Sequence, residues 1–92
     1  MDFGQALAEL KNGKQVTRTG WNGRGQFLEL QSPDESSKMT LPYIYITTVA
    51  GDRVPWLASQ SDLLAADWEL TAVSQFCDAL AEALSAIFWP FG

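Results

Sequence analysis

The residues of this chain whose types and spacing could do chemistry lie in two short strings. In Gly20-Trp21-Asn22-Gly23-Arg24-Gly25, the glycines let backbone N–H groups turn toward one point and form a nest around an anion. Arg18 or Arg24 would supply charge there, and Trp21 a stacking face. The same string also reads as a hairpin turn with a packed tryptophan, since Asn-Gly between strand-like segments is a turn signal. In Pro55-Trp56-Leu57-Ala58-Ser59-Gln60-Ser61-Asp62, a bulky ring precedes hydroxyls, an amide and a carboxylate at a helix start. Free N–H groups at such a start favour anions, and a carboxylate accepts from ribose hydroxyls. Ser59 and Asp62 fit a capping box equally well, with Trp56 as core; Gln60 is harder to explain that way.

Other candidate chemistry is thinner. Asp52, Asp62 and Asp67 could serve as an acid and base pair or hold magnesium, but their spacing matches no carboxylate site, and the remaining acids read as a solvated surface. The chain has no histidine, which removes Ser-His-Asp and Cys-His mechanisms, HExxH zinc sites and the usual proton shuttle near neutral pH. The lone Cys77 excludes an intramolecular disulfide and reads as a small buried hydrophobe on an apolar helix stripe. One cysteine fits a reducing, cytosolic compartment.

These strings must be positioned by a small scaffold. The 92 residues, 47% of them apolar and 18% charged, describe one folded domain with a modest core and apolar surface to spare for self-association. The net charge of −5 is a poor match for DNA or RNA polymers, whose affinity rests on many phosphate contacts. Acidic residues near the N-terminus argue against a secretory signal, and no apolar run is long enough to span a bilayer, so no membrane partner is expected.

Periodicity gives the elements. Phe3, Ala6, Leu7 and Leu10 predict an amphipathic helix over residues 3–12 that stops at Asn12-Gly13. Strands are expected at Gln15–Thr19, Gln26–Gln31, Tyr43–Thr48 and Trp68–Thr71, with a polar surface loop at Ser32–Ser37. A short strand after Ala50-Gly51-Asp52-Arg53 is confined by Pro55 to an edge or to its own end. Ser59-x-x-Asp62 opens a short helix. Ser74 starts a further helix with Phe76, Leu80, Leu84 and Ile87 on one stripe and no basic residue, which favours packing against the body or another subunit over a membrane surface. The fold class is therefore α+β: a small antiparallel sheet with an N-terminal helix, a short helix after the PWLASQ segment and a C-terminal helical extension. Residues 1–73 form the domain and 74–92 the extension.

Taken together, Phe3-Gly4-x-Ala6-Leu7, Gly13-Lys14-x-Val16-x-Arg18, Gly20-Trp21-Asn22-Gly23-x-Gly25-x-Phe27-Leu28 and Val54-Pro55-Trp56-Leu57-Ala58-Ser59-Gln60-x-Asp62-Leu63-Leu64-Ala65-x-Asp67-Trp68 form an ordered set. Over residues 2–71 it resembles the Thoeris anti-defence protein 2 family of small phage and prophage proteins. The two long strings in that order are specific, whereas residues 32–41 are shorter than the family's usual variable loop. The resemblance implies a non-enzymatic sponge in the cytoplasm of the infected bacterial host. Such a protein binds cyclic ADP-ribose isomers of Thoeris, and in some members cyclic dinucleotides, and starves the effector without degrading the signal. It also implies a homotetramer built from dimers, with pockets at subunit junctions, and no cofactor or metal.

Carried onto this chain, the resemblance assigns Trp21 and Phe27 to stacking or walling a base, Arg18, Arg24 and Arg53 to phosphates, and Asn22, Ser59, Gln60 and Asp62 to ribose or base edges. Trp56 and Trp68 are left to the core or an interface. The alternative class is a protein-interaction or virion-associated module with no nucleotide ligand. An enzyme cleaving the signal with carboxylates alone ranks below both.

Overall fold

The computed structural model describes residues 1–21 and 24–75. Along the chain it runs α1 (Phe3–Lys11), β1 (Val16–Arg18), β2 (Phe27–Gln31), β3 (Tyr43–Thr47), β4 (Arg53–Pro55), α2 (Gln60–Leu64) and β5 (Trp68–Leu70). The five strands form one antiparallel sheet in the order β4-β3-β2-β1-β5, an α+β architecture. β5 joins beside β1 after the chain has passed through β4 and α2, so the two strings singled out above, far apart in sequence, meet at one end of the sheet.

Local chemistry accounts for the elements. Asp2 caps α1 by accepting from the Gln5 N–H at 2.8 Å while the Gln5 side chain accepts from the Asp2 N–H at 3.0 Å, a complete capping box. Gly13 then takes a positive φ of 82°, the left-handed stop that Asn12-Gly13 predicts. Ser59 caps α2 in the same manner, with Asp62 as the reciprocal partner. Pro55 ends β4 at the sheet edge, where its missing N–H costs no ladder bond. The polar loop closes around the Asp34 carboxylate, which accepts from the Ser36 N–H and from the Ser36 and Ser37 hydroxyls.

Register decides what each face holds. Val16 pairs with Leu28 and Leu70, Leu28 with Ile46, and Arg18 with Trp68. Alternation therefore sends Val16, Leu28, Leu30, Ile44, Ile46, Trp68 and Leu70 to one face. α1 lies on that face and buries Ala6 and Leu10 against Val16, Leu28 and Trp68. Phe3 and Trp56 flank Trp68 with ring centroids 5.4 and 6.0 Å away, which places Trp56 and Trp68 in or against the core, as the sequence suggests. The other face carries Thr17, Phe27, Glu29, Tyr43, Tyr45, Thr47 and Arg53, and no described element packs across it.

After β5 a helical turn opens at residue 72, two residues before Ser74. The Thr71 hydroxyl accepts from the Ser74 N–H at 3.3 Å and so takes the capping role. Ser74 is buried and accepts from the Gln15 N–H at 2.7 Å, tying this turn to the start of β1. The stripe of Phe76, Leu80, Leu84 and Ile87, and Cys77, lie outside the described residues, as do Asn22 and Gly23. Among the described residues no helix is long and apolar enough to cross a membrane.

Candidate functional site

Where β1 ends, Arg18 reaches across to two carboxylates. Its Nη1 donates to Asp62 Oδ1 at 2.7 Å and its Nε to Asp67 Oδ1 at 2.8 Å. Asp62 stands on α2 and Asp67 immediately precedes β5, so one guanidinium joins three segments that are distant in sequence. The same Asp62 oxygen accepts from Trp21 Nε1 at 3.0 Å. Below it, Trp68 Nε1 donates to the Asp62 carbonyl at 2.9 Å, which fixes α2 to the core tryptophan. The Trp21 ring meets Trp68 edge-on, centroids 5.4 Å apart, so both its polar and its apolar edges are held.

Asp67 shapes the loop that carries Trp21. Its Oδ2 accepts from the Gly20 N–H at 2.7 Å and from the Thr19 hydroxyl at 3.2 Å. The approach is so close that a Cβ on residue 20 would stand 2.7 Å from that oxygen. A side chain here would push the Asp67 carboxylate off its bonds to Gly20 and Thr19. Gly25, where the chain enters β2, has a φ of 83° and is required for conformation instead.

The electrostatics follow. The hydrogen bonds that Arg18 donates to Asp67 and Asp62 raise its pKa above the ordinary guanidinium value. Burial pushes the Asp62 carboxyl up, but hydrogen bonds from Trp21, Arg18 and Ser59 outweigh it and hold it below the usual carboxylate range. The Arg18 hydrogen bond and the Gly20 N–H hold Asp67 low as well. One guanidinium against two carboxylates leaves the junction one negative charge in excess. Such a site offers acceptors to hydroxyl and amino donors and repels a bare phosphate.

The structure thus brings Arg18, Trp21, Ser59 and Asp62 together. Gln60 opens α2 beside them and is exposed, and Arg24 is exposed on the same loop as Trp21. Asn22 lies outside the described residues. Phe27 and Arg53 stand elsewhere: Phe27 points to the face opposite the core, and Arg53 sits on edge strand β4 with its guanidinium 5.8 Å from the Tyr45 ring centroid. Within one chain neither reaches Trp21.

Asp67 and Gly20 are what sequence reasoning missed as site residues. Asp67 counted there only as one of three scattered carboxylates. The usable signal was Arg18, a strand residue whose charge, once packed, needed a counter-ion. Among the described residues no group of three or more side chains is arranged to hold a metal ion.

A profile of the Thoeris anti-defense 2-like domain matches residues 1–71. Thoeris anti-defense 2 of Bacillus phage SP01 is 38% identical to this chain in an alignment 85 positions long, which spans 78% of this chain and 96% of that protein. The matched residues contain every strand of the sheet and the whole Arg18–Asp62–Asp67 junction, and residues 72–92 fall outside the family match. This chain belongs to the Thoeris anti-defense 2-like family.

Proposed function

We propose that this anti-defense protein binds cyclic nucleotide immune signals, cyclic ADP-ribose isomers of Thoeris and in some cases cyclic dinucleotides, and sequesters them without degradation in the cytoplasm of the infected host. The observation that carries this reading is the junction itself: a tryptophan held at both edges beside two carboxylates kept anionic. A ring fixed in this way binds a base without first being ordered. Carboxylates held below their ordinary range are acceptors for ribose hydroxyls and poor proton donors, which supports capture rather than cleavage.

In this reading Trp21 walls a base, and Asp62, Ser59, Gln60 and Asn22 meet ribose or base edges. Arg18 gives its donors to Asp62 and Asp67, so its role passes from phosphate contact to holding those acceptors in place. Arg24 then takes phosphate from the same chain, and Phe27 and Arg53 reach a ligand only from a neighbouring subunit. Leu57 and Leu64, 93% and 84% exposed, flank the Ser59–Asp62 cap and support a homo-oligomer, a tetramer built from dimers, whose contacts complete the pocket.

The test is incubation of the purified protein with a mixed panel of cyclic ADP-ribose isomers and cyclic dinucleotides, followed by filtration, heat denaturation and mass spectrometry of the released molecules. Depletion of one compound from the filtrate with intact recovery after heating is expected. Altered products would mean an enzyme, and no depletion would mean a protein-interaction module.

A further inference from the structure

Trp21 is held at its tip, at its edge and at its root, each time by a different residue. The indole Nε1 donates to Asp62 Oδ1 at 3.0 Å, and the ring meets Trp68 edge-on. At the root the chain turns as it leaves β1, with the Trp21 N–H donating to the Arg18 carbonyl at 3.3 Å. That turn hangs on Asp67. Its carbonyl accepts from the Thr19 N–H at 3.3 Å, and its Oδ2 accepts from the Gly20 N–H at 2.7 Å and the Thr19 hydroxyl at 3.2 Å. Gly20 immediately precedes Trp21, so this carboxylate fixes the backbone from which the ring projects.

The position asks for a carboxylate. Asp67 takes N–H donors on both oxygens, Arg18 Nε on Oδ1 at 2.8 Å and Gly20 on Oδ2. Neither donor can accept in return, so an amide here would set its NH2 against one of them whichever way it turned. The two oxygens thus join the turn to the same guanidinium whose Nη1 holds Asp62 at the tip of the ring. The root and the tip of Trp21 are tied into one network through Arg18.

We propose that Asp67 is a positioning residue for capture: its carboxylate fixes the turn at residues 18–21 so that Trp21 stands in its binding pose before a molecule arrives. The inference rests on the reading that Trp21 walls a base. A ring ordered in advance raises the fraction of protein competent to bind, and that fraction multiplies the association rate while dissociation is left to the contacts themselves. Asp67 therefore acts on kon, whereas a residue touching the ligand acts on koff.

The test uses Asp67→Ala and Gly20→Ala in the full chain. Gly20 has no left-handed φ, so alanine fits its backbone, leaves every charge in place and displaces the carboxylate it would touch. Thr19→Val removes one bond to Asp67 from an exposed side chain, guards against unfolding of the other two, and is expected to shift both readings the same way by a smaller factor. The first reading needs no ligand. Hydrogen exchange at the indole N–H groups compares Trp21, bonded to the Asp62 carboxylate, with Trp68, bonded to the Asp62 carbonyl. In both alanine variants the Trp21 indole is expected to exchange at least about fivefold faster, with Trp68 unchanged. No acceleration at Trp21 would overturn the proposal. Equal acceleration of both indoles would make Asp67 a support of the fold alone and overturn it as well. The second reading is stopped-flow titration with each cyclic ADP-ribose isomer and cyclic dinucleotide in turn. For a compound that the native protein retains, kon is expected to fall about tenfold in either variant and koff to change by less than about twofold, with the double variant no worse than the single ones. A change confined to koff, or no change, would overturn the positioning role and leave capture intact. Retention of none of these compounds by the native protein would overturn capture at Trp21, and the positioning role with it, whatever the indole exchange shows.

Discussion

The junction beside Trp21 and the aromatic face of the sheet are built on opposite terms. At the junction polar groups find partners inside the chain: Arg18 takes both Asp62 and Asp67, Asp62 takes Trp21, and Asp67 takes Gly20 and Thr19. Across the sheet, Tyr45 has Glu29 opposite it and Arg53 above its ring, while the Thr47 hydroxyl is buried with no hydrogen-bond partner among the described residues. Burial, followed by the Glu29 carboxylate, raises the Tyr45 phenol above its ordinary pKa of 10.0, so this ring keeps its proton where the junction carboxylates have lost theirs. The first region uses its charges to fix geometry and retains a single negative excess. The second keeps apolar area that only another surface can use. Fixed acceptors beside an edge-held ring offer directed partners to polar donors, whereas an aromatic sheet face offers apolar area without direction.

The core under both regions sets the largest expected effect. Trp68 is 1% exposed, contacts three other aromatic rings and donates to the Asp62 carbonyl, so Trp68→Ala should cost about 3–5 kcal/mol and erase the junction together with the sheet end. Urea unfolding would measure the loss. A cost under about 1 kcal/mol would show that the two regions do not share this support.

Asp62→Asn separates them. It removes the charge that Arg18 pairs with while keeping an acceptor for Trp21, and should cost about 1–3 kcal/mol with no change on the tyrosine face. The pH dependence has a definite sign. Asp62 and Asp67 titrate lower in the folded chain than their ordinary 3.8. The stability they lend is therefore present above that value and lost as pH falls through the lowered folded-state values. Urea midpoints should fall on acidification below about pH 4, and Asp62→Asn should flatten that fall. An unchanged acid limb in the variant would remove Asp62 from the ionic junction.

The smallest effect is expected from Thr47→Val. Replacing a buried hydroxyl that lacks a partner among the described residues by a methyl of similar shape should leave stability unchanged or raise it by up to about 1 kcal/mol. A clear loss in thermal unfolding would mean that the Thr47 hydroxyl is bonded in solution and that the two regions differ less in how their polar groups are satisfied.

Much of this was readable in the residues. The α1 stripe, the five strands, the Pro55 edge and the Ser59–Asp62 cap follow from periodicity and capping chemistry, which are local properties. The placement of β5 beside β1 was not readable, because nothing in Trp68–Leu70 says which strand it pairs with. That pairing brings Asp67 to Arg18 and Gly20, so Asp67 was passed over and Arg18 was assigned to phosphate. Phe27 suffered in a related way. It shares a string with Trp21, but a strand's alternation turns it to the opposite face from its neighbour Leu28, and proximity in sequence gives no proximity to the junction.

In the proposed function the Trp21–Asp62 junction takes the captured molecule. Equilibrium dialysis of the compound recovered from the filtration assay, against the native protein and against Asp62→Asn under conditions where both are fully folded, tests it directly. Binding at least about tenfold weaker in the variant is the expected result. Equal affinity in the two proteins would contradict the account and place the ligand elsewhere on the molecule.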